Sequence, residues 1–156
     1  MLAISGQGTP ESPSVNALAE ECGRLAAARG ATVLTGGLGG VMAAAERGAR
    51  SGGGRATALL PGHDRAAHVG TADTVIATGV GEARDLALVA TADAVIAIGG
   101  GWGTLAEIGL ARRLGRPVVL LETWAVRAPE GWDPGDPLPR ARTADDAVSQ
   151  ALAAVA

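Results

Sequence analysis

The sequence predicts an α/β fold: one Rossmann-like, doubly wound domain over residues 1–156, with a mostly parallel sheet and helices on both faces. Three observations predict it. Short apolar runs of strand length alternate with stretches of helical period along the chain. Glycine-rich turns follow one strand after another. The 156 residues suffice for one domain with a sizeable core and not for two typical ones. Ligands of such sheets lie at the carboxyl ends of the strands. Every glycine turn here follows a strand, so all of them can face one crevice.

The elements follow in order. Leu2 to Ile4 is a first strand, and Ser5-Gly6-Gln7-Gly8-Thr9 is its glycine turn. Ser12 or Ser14 caps the first helix, with Pro13 in its first turn. Val15, Leu18, Cys22 and Leu25 share one face, and Gly30 ends it. Ala31 to Thr35 is the second strand; it enters Gly36-Gly37-Leu38-Gly39-Gly40 and an alanine-rich helix to about Arg50. Gly52 to Gly54 close that unit. Arg55 to Leu60 is the third strand and Val75 to Thr78 the fourth, followed by a helix of roughly Glu82 to Ala90.

Asp93 to Glu107 organises the rest. Ala94 to Ile98 reads as a strand buried on both faces. Gly99, Gly100 and Gly101 then let the backbone turn or approach a ligand. A helix begins near Trp102, with Leu105, Ile108 and Leu114 on its apolar face. Its first N–H groups have no internal partner and its dipole is positive there, so the turn is a seat for an anion, best a phosphate. Val118 to Leu121 is the sixth strand. A surface loop or lid spans 123–142; its irregular part, Thr123 to Arg140, holds Trp124, Trp132 and four prolines. Thr143 caps a last helix from Ala144 to about Val155, with Asp145 and Asp146 in its first turn.

Composition narrows the functions. The hydrophobic fraction is 47%, yet Phe and Tyr are absent, so the core is expected to be Ala, Val, Leu and Ile with backbones packed close. The 24 glycines exceed what packing alone needs. A net charge of −3 without a basic run argues against nucleic acid as a partner. No apolar run is long enough for a membrane helix, and no signal segment opens the sequence, so a soluble cytoplasmic protein is expected. Lone Cys22 excludes an internal disulfide and reads as a small core residue. His63 and His68 read as solvated loop residues. No carboxylate or cysteine stands at metal spacing around them, so neither a metal nor a resident cofactor is expected.

Four positions carry the chemistry. Glu107 lies one turn into its helix and leans back toward the crevice. The positive helix end favours its ionised form, which would stabilise a cationic sugar transition state or activate water; spacing alone also reads it as a plain first-turn glutamate, which is common. Arg84 in the first turn of its helix opposes the dipole, which an anionic ligand would offset, as would an ion pair with Glu82 or Asp85. Thr104 caps its helix or donates to a phosphate. Trp102 stacks on a ligand ring or, slightly favoured, fills a gap. Gly101-Trp102-Gly103-Thr104-Leu105-Ala106 also fits the dinucleotide fingerprint, with Glu122 about 20 residues on, where a ribose-binding acid belongs.

Gly99 to Glu107 resembles the Pro-Gly-Gly-x-Gly-Thr-x-x-Glu signature of the Lonely Guy (LOG) phosphoribohydrolases, and Gly36 to Met42 resembles their earlier glycine-rich motif. Arg84, 15 residues before Gly99, falls where that family has its catalytic arginine. Gly99 replaces the signature proline and Asp85 stands where the hydrolases usually have a lysine, as in a side branch that includes molybdenum-cofactor carrier proteins. The resemblance implies a Rossmann-like nucleotide-phosphate-binding domain. It assigns Glu107 and Arg84 to catalysis, and Gly6, Gly36, Gly37, Gly39, Gly40, Gly100, Gly101, Trp102, Gly103 and Thr104 to the phosphorylated ligand. It implies a homodimer or higher homo-oligomer. Three functions are open: hydrolysis of the N-glycosidic bond of a nucleoside 5′-monophosphate, non-catalytic carriage or sensing of a nucleotide- or molybdopterin-like ligand, and, more weakly, NAD(P) binding.

Overall fold

The structure is a computed structural model that describes residues 1–9, 12–131, 135 and 137–155. Among these residues seven strands form one all-parallel sheet. They are β1 (Leu2–Ser5), β2 (Val33–Thr35), β3 (Ala56–Leu60), β4 (Thr74–Ala77), β5 (Ala94–Gly99), β6 (Val118–Thr123) and β7 (Arg140–Ala141), in the order β4-β3-β2-β1-β5-β6-β7. Five helices cover it: α1 (Pro13–Ala28), α2 (Gly40–Ser51), α3 (Arg84–Thr91), α4 (Trp102–Arg113) and α5 (Ala144–Ala153).

The strands divide their side chains between two faces. Ala94, Ile96 and Ile98 of β5 join Leu2, Ile4 and Val33 against α1, α2 and α5. Val95 and Ala97 join Ala3 and Leu34 against α3 and α4. A strand covered on both faces needs apolar residues at every position, and all six residues of β5 are buried. Small side chains let backbones touch. Gly23 of α1 faces the carbonyl of Ala45, and Gly48 of α2 faces that of Glu20; a Cβ added at Gly48 would stand 1.8 Å from the Glu20 oxygen. Some of the glycines therefore make a helix–helix seam.

Local chemistry sets the ends. Ser12 is the cap of α1, accepting from the Val15 amide, with Pro13 as first residue. Thr143 caps α5 by accepting from the Asp146 amide at 3.1 Å. β2 starts later than predicted because the Ala31 amide is still bonded to the Ala26 carbonyl of α1. Gly81–Ala83 form a short 3-10 turn ahead of α3. Leu114 does not extend the apolar face of α4: it is the exposed C-cap residue, and the buried face runs through Thr104, Glu107, Ile108 and Ala111. The 123–142 stretch is not loop throughout. β6 runs to Thr123, and β7 pairs in parallel with β6 at its far end. Arg140 donates to the Trp124 carbonyl at 2.9 Å and the Thr123 carbonyl at 3.1 Å, pinning the start of the loop. Trp132 lies outside the described residues. No helix among the described residues is long and apolar enough to cross a membrane.

Candidate functional site

The chain leaves β1 toward β2 on one side of the sheet, while β5 pairs on β1's other side. That is the topological switch point, where turns diverge and leave a crevice. A cleft of about 580 Å³ lies there. Its walls are the turns after β1 and β5, the start of α3, and Leu38 and Met42 from the β2–α2 unit.

Gly6, Gly100, Gly101, Trp102, Gly103 and Thr104 all line this cleft, together with Glu107 and Arg84. Gly36, Gly37, Gly39 and Gly40 are not among its described lining residues. They stand one layer behind. Gly40 (φ 57°) is so close to the β1 turn that a Cβ would be 2.3 Å from the carbonyls of Gln7 and Thr9. A Cβ on Gly39 would be 2.7 Å from the Gly8 carbonyl. The Val41 amide donates to the Gln7 carbonyl at 3.2 Å. These glycines bring two turns into contact, and Gly36 does the same for a side chain: a Cβ there would stand 2.0 Å from Nη1 of Arg84.

The start of α4 carries no side-chain cap; Gly101 is its N-cap residue. Thr104 therefore does not cap. Its hydroxyl is buried in the wall of the cleft and has no hydrogen-bond partner among the described residues. Nε of buried Arg84 is likewise without a partner. Two such orphans beside an uncapped helix start are what an anion would satisfy. Trp102 fills no gap: it is 78% exposed and packs obliquely on Trp124, with ring centroids 5.2 Å apart. Trp124, which the sequence placed only in a loop, is held by donating from Nε1 to the Gly101 carbonyl at 3.2 Å.

Glu107 departs from expectation. Its carboxyl is buried, and burial pushes it up to about 7, against the hydrogen bond donated by the Ser5 hydroxyl; nearby Asp85 adds to the rise and Arg84 opposes it. The helix end does not keep it fully ionised, because desolvation outweighs the dipole. Arg84 makes the ion pair with Asp85. Nη1 is 3.2 Å from Asp85, while Nε is unpaired. Burial holds Asp85 above the usual carboxylate range, against the attraction of Arg84.

Other candidates sit elsewhere. Burial raises the Cys22 thiol to about 12, as expected of an inert core residue. His63 is exposed, but His68 is not a solvated loop residue: its Nε2 is 2.9 Å from the buried carboxylate of Glu46. The pair is 22 residues apart, and helical period gives no sign of it. Glu122 is the residue skipped where β6 pairs with β5, with φ 48°, a bulge that turns it out. It lines a neighbouring cleft with Val15, Gly99 and Gly100, and is not among the described lining residues of the main one. No group of three or more His, Cys, Asp or Glu among the described residues is arranged to hold a metal.

Comparison with known proteins agrees with this architecture. The molybdenum cofactor binding protein of the phototrophic bacterium Rippkaea orientalis is 36% identical, with a TM-score of 0.76 over 80% of this chain and 76% of that one. The Moco carrier protein of Chlamydomonas reinhardtii is 33% identical, with a TM-score of 0.83 over 98% and 95%. An uncharacterised protein of Archaeoglobus fulgidus is 42% identical over 105 residues, 67% of this chain and 69% of the relative. The likeness to the LOG-like superfamily and its carrier branch therefore stands. A family model matches residues 1–147, and the chain belongs to the SLOG cluster4 family.

Proposed function

We propose that the chain binds a small phosphorylated ligand, nucleotide- or molybdopterin-like, in the β1/β5 crevice and holds it without turnover, as a carrier or sensor. One observation carries the reading: the Thr104 hydroxyl and Arg84 Nε are buried, have no partner among the described residues, and belong to residues that line one cleft with the uncapped start of α4. Exposed Trp102, packed on half-buried Trp124 at the same cleft, offers an indole face to a ligand ring. The solved relatives named for molybdenum cofactor support carriage over hydrolysis. So does Glu107: with its carboxyl near 7, about half is neutral at neutral pH, which weakens it as an electrostatic stabiliser of a cationic sugar.

The same value favours a second reading. A carboxyl titrating near neutrality is suited to give or take a proton, so hydrolysis of a nucleoside 5′-monophosphate is the alternative. One experiment separates the two. The protein is incubated with molybdenum cofactor and with a panel of nucleoside 5′-monophosphates, following melting temperature and released base. Carriage predicts a raised Tm with at least one ligand and no free base. Released base refutes carriage; no Tm change with any phosphorylated compound refutes the site. A homodimer or higher assembly, working in the cytoplasm, is part of the proposal and is checked by light scattering and fractionation.

A further inference from the structure

Glu46 is the one described carboxylate on α2, and it is completely buried although it does not line the cleft. A carboxylate is costly in an alanine–valine core unless its lone pairs are filled. Here they are. It accepts from the Thr35 hydroxyl at 2.6 Å, the Thr71 amide at 2.8 Å and the Ala72 amide at 3.0 Å, and His68 Nε2 lies at 2.9 Å. The loop presses close: a Cβ on Gly70 would stand 1.9 Å from Oε2.

The network leads forward to the cleft. The Thr35 hydroxyl, held by Glu46, accepts from the Gly37 amide at 3.2 Å. The Val69 amide, next to His68, donates to the Gly37 carbonyl at 3.1 Å. The Gly37 amide is thus tied to a side chain that Glu46 holds, and its carbonyl to the residue that follows His68. Its neighbour Gly36 is the shelf on which the Arg84 guanidinium lies. A Cβ there would be 2.0, 2.7 and 2.8 Å from Nη1, Cζ and Nη2.

We infer that Glu46 and His68 are positioning residues: clasped together, they fix the Gly36–Gly37 turn from behind and so set Arg84 at the angle the anion requires. This rests on the ligand reading above, since it gives Arg84 a ligand to meet. It makes the 68–72 loop part of the binding apparatus although no residue of that loop touches the cleft. An apolar side chain at position 46 would cover the sheet at lower cost but would leave the Thr35 O–H donor and two loop amides unsatisfied. The turn would then have no fixed seat.

The test uses the full chain and inorganic phosphate as probe. In the wild type, phosphate is expected to slow hydrogen exchange at the Thr71 and Ala72 amides, and Arg84→Ala is expected to abolish the slowing. His68→Ala is expected to weaken phosphate binding about tenfold, the scale of a typical coupling between sites. His68→Gln, which keeps a donor toward Glu46, is expected to restore most of it. The proposal is overturned if His68→Ala, folded by circular dichroism, binds phosphate like the wild type. It is overturned equally if bound phosphate leaves Thr71 and Ala72 exchange unchanged. A wild type that binds no phosphate at any concentration refutes the anion seat itself, a different failure read in the same titration.

Discussion

Replacing Glu107 by glutamine tests how burial governs the site. The Glu107 carboxyl stands at about 7 when folded against an ordinary 4.5, chiefly because it is desolvated. Between those values the folded chain holds a proton that the unfolded chain has released. The native state therefore binds more protons across that window, and stability falls as pH rises from about 4.5 to about 7, then levels off. At about 1.4 kcal/mol per pH unit the full penalty is roughly 3 kcal/mol, of which about 2–3 kcal/mol accrues between about pH 5 and about pH 8. Glutamine has the shape of the neutral acid, still accepts from Ser5 and cannot ionise. Glu107→Gln is therefore expected to match the wild type near pH 5 and to exceed it by about 2–3 kcal/mol near pH 8, a Tm difference of roughly 5–10 °C for a chain of this size. Urea unfolding of both proteins, followed by far-ultraviolet circular dichroism across that range, measures the difference; carboxylates shared by both cancel. Parallel stability curves, or a glutamine variant that is weaker at high pH, would show that Glu107 is not held neutral by its surroundings.

Four further outcomes follow from local geometry. Gly48→Ala drives a methyl to within 1.8 Å of the Glu20 carbonyl, so α1 and α2 must part, and a loss of about 3 kcal/mol or more is expected in chemical unfolding. Gly109→Ala, in α4 with nothing within 4 Å of the new methyl, is expected to gain about 1 kcal/mol in the same assay. Thr104→Val removes a buried hydroxyl that has no partner, so stability is expected to hold or rise slightly while phosphate affinity measured by calorimetry falls. Thr143→Ala deletes the cap of α5 and is expected to cost about 1 kcal/mol with no effect on ligand binding.

The parts of the fold that local sequence controls were legible. Apolar runs closed by glycines marked β1, β2, β3 and β5, because a strand buried on both faces must be apolar throughout. The crevice beside the turns after β1 and β5 was legible too, since turns after parallel strands share one end of the sheet, but the Gly36–Gly40 turn expected in it is not among its described lining residues. What pairs residues far apart was not. The Glu46–His68 contact spans 22 positions, and Ser5 reaches Glu107 across 102. No local period encodes either. The ionisation of Glu107 inferred from the helix end is only partial near neutrality, because dipole effects are small beside the loss of water around a buried carboxyl. Trp102 was misread because a large aromatic in an aromatic-poor chain suggests filling, whereas its place on the first turn of α4 points it out of the sheet's core. β7, two residues long, has too few positions for any alternation to show.

The absence of Phe and Tyr has an optical consequence. Three tryptophans are the chain's whole aromatic complement, and Trp102 and Trp124 face each other over the crevice. Two of the three indoles therefore emit from the cleft. A flat compound sliding against the indoles would announce itself by quenching, without any dye attached.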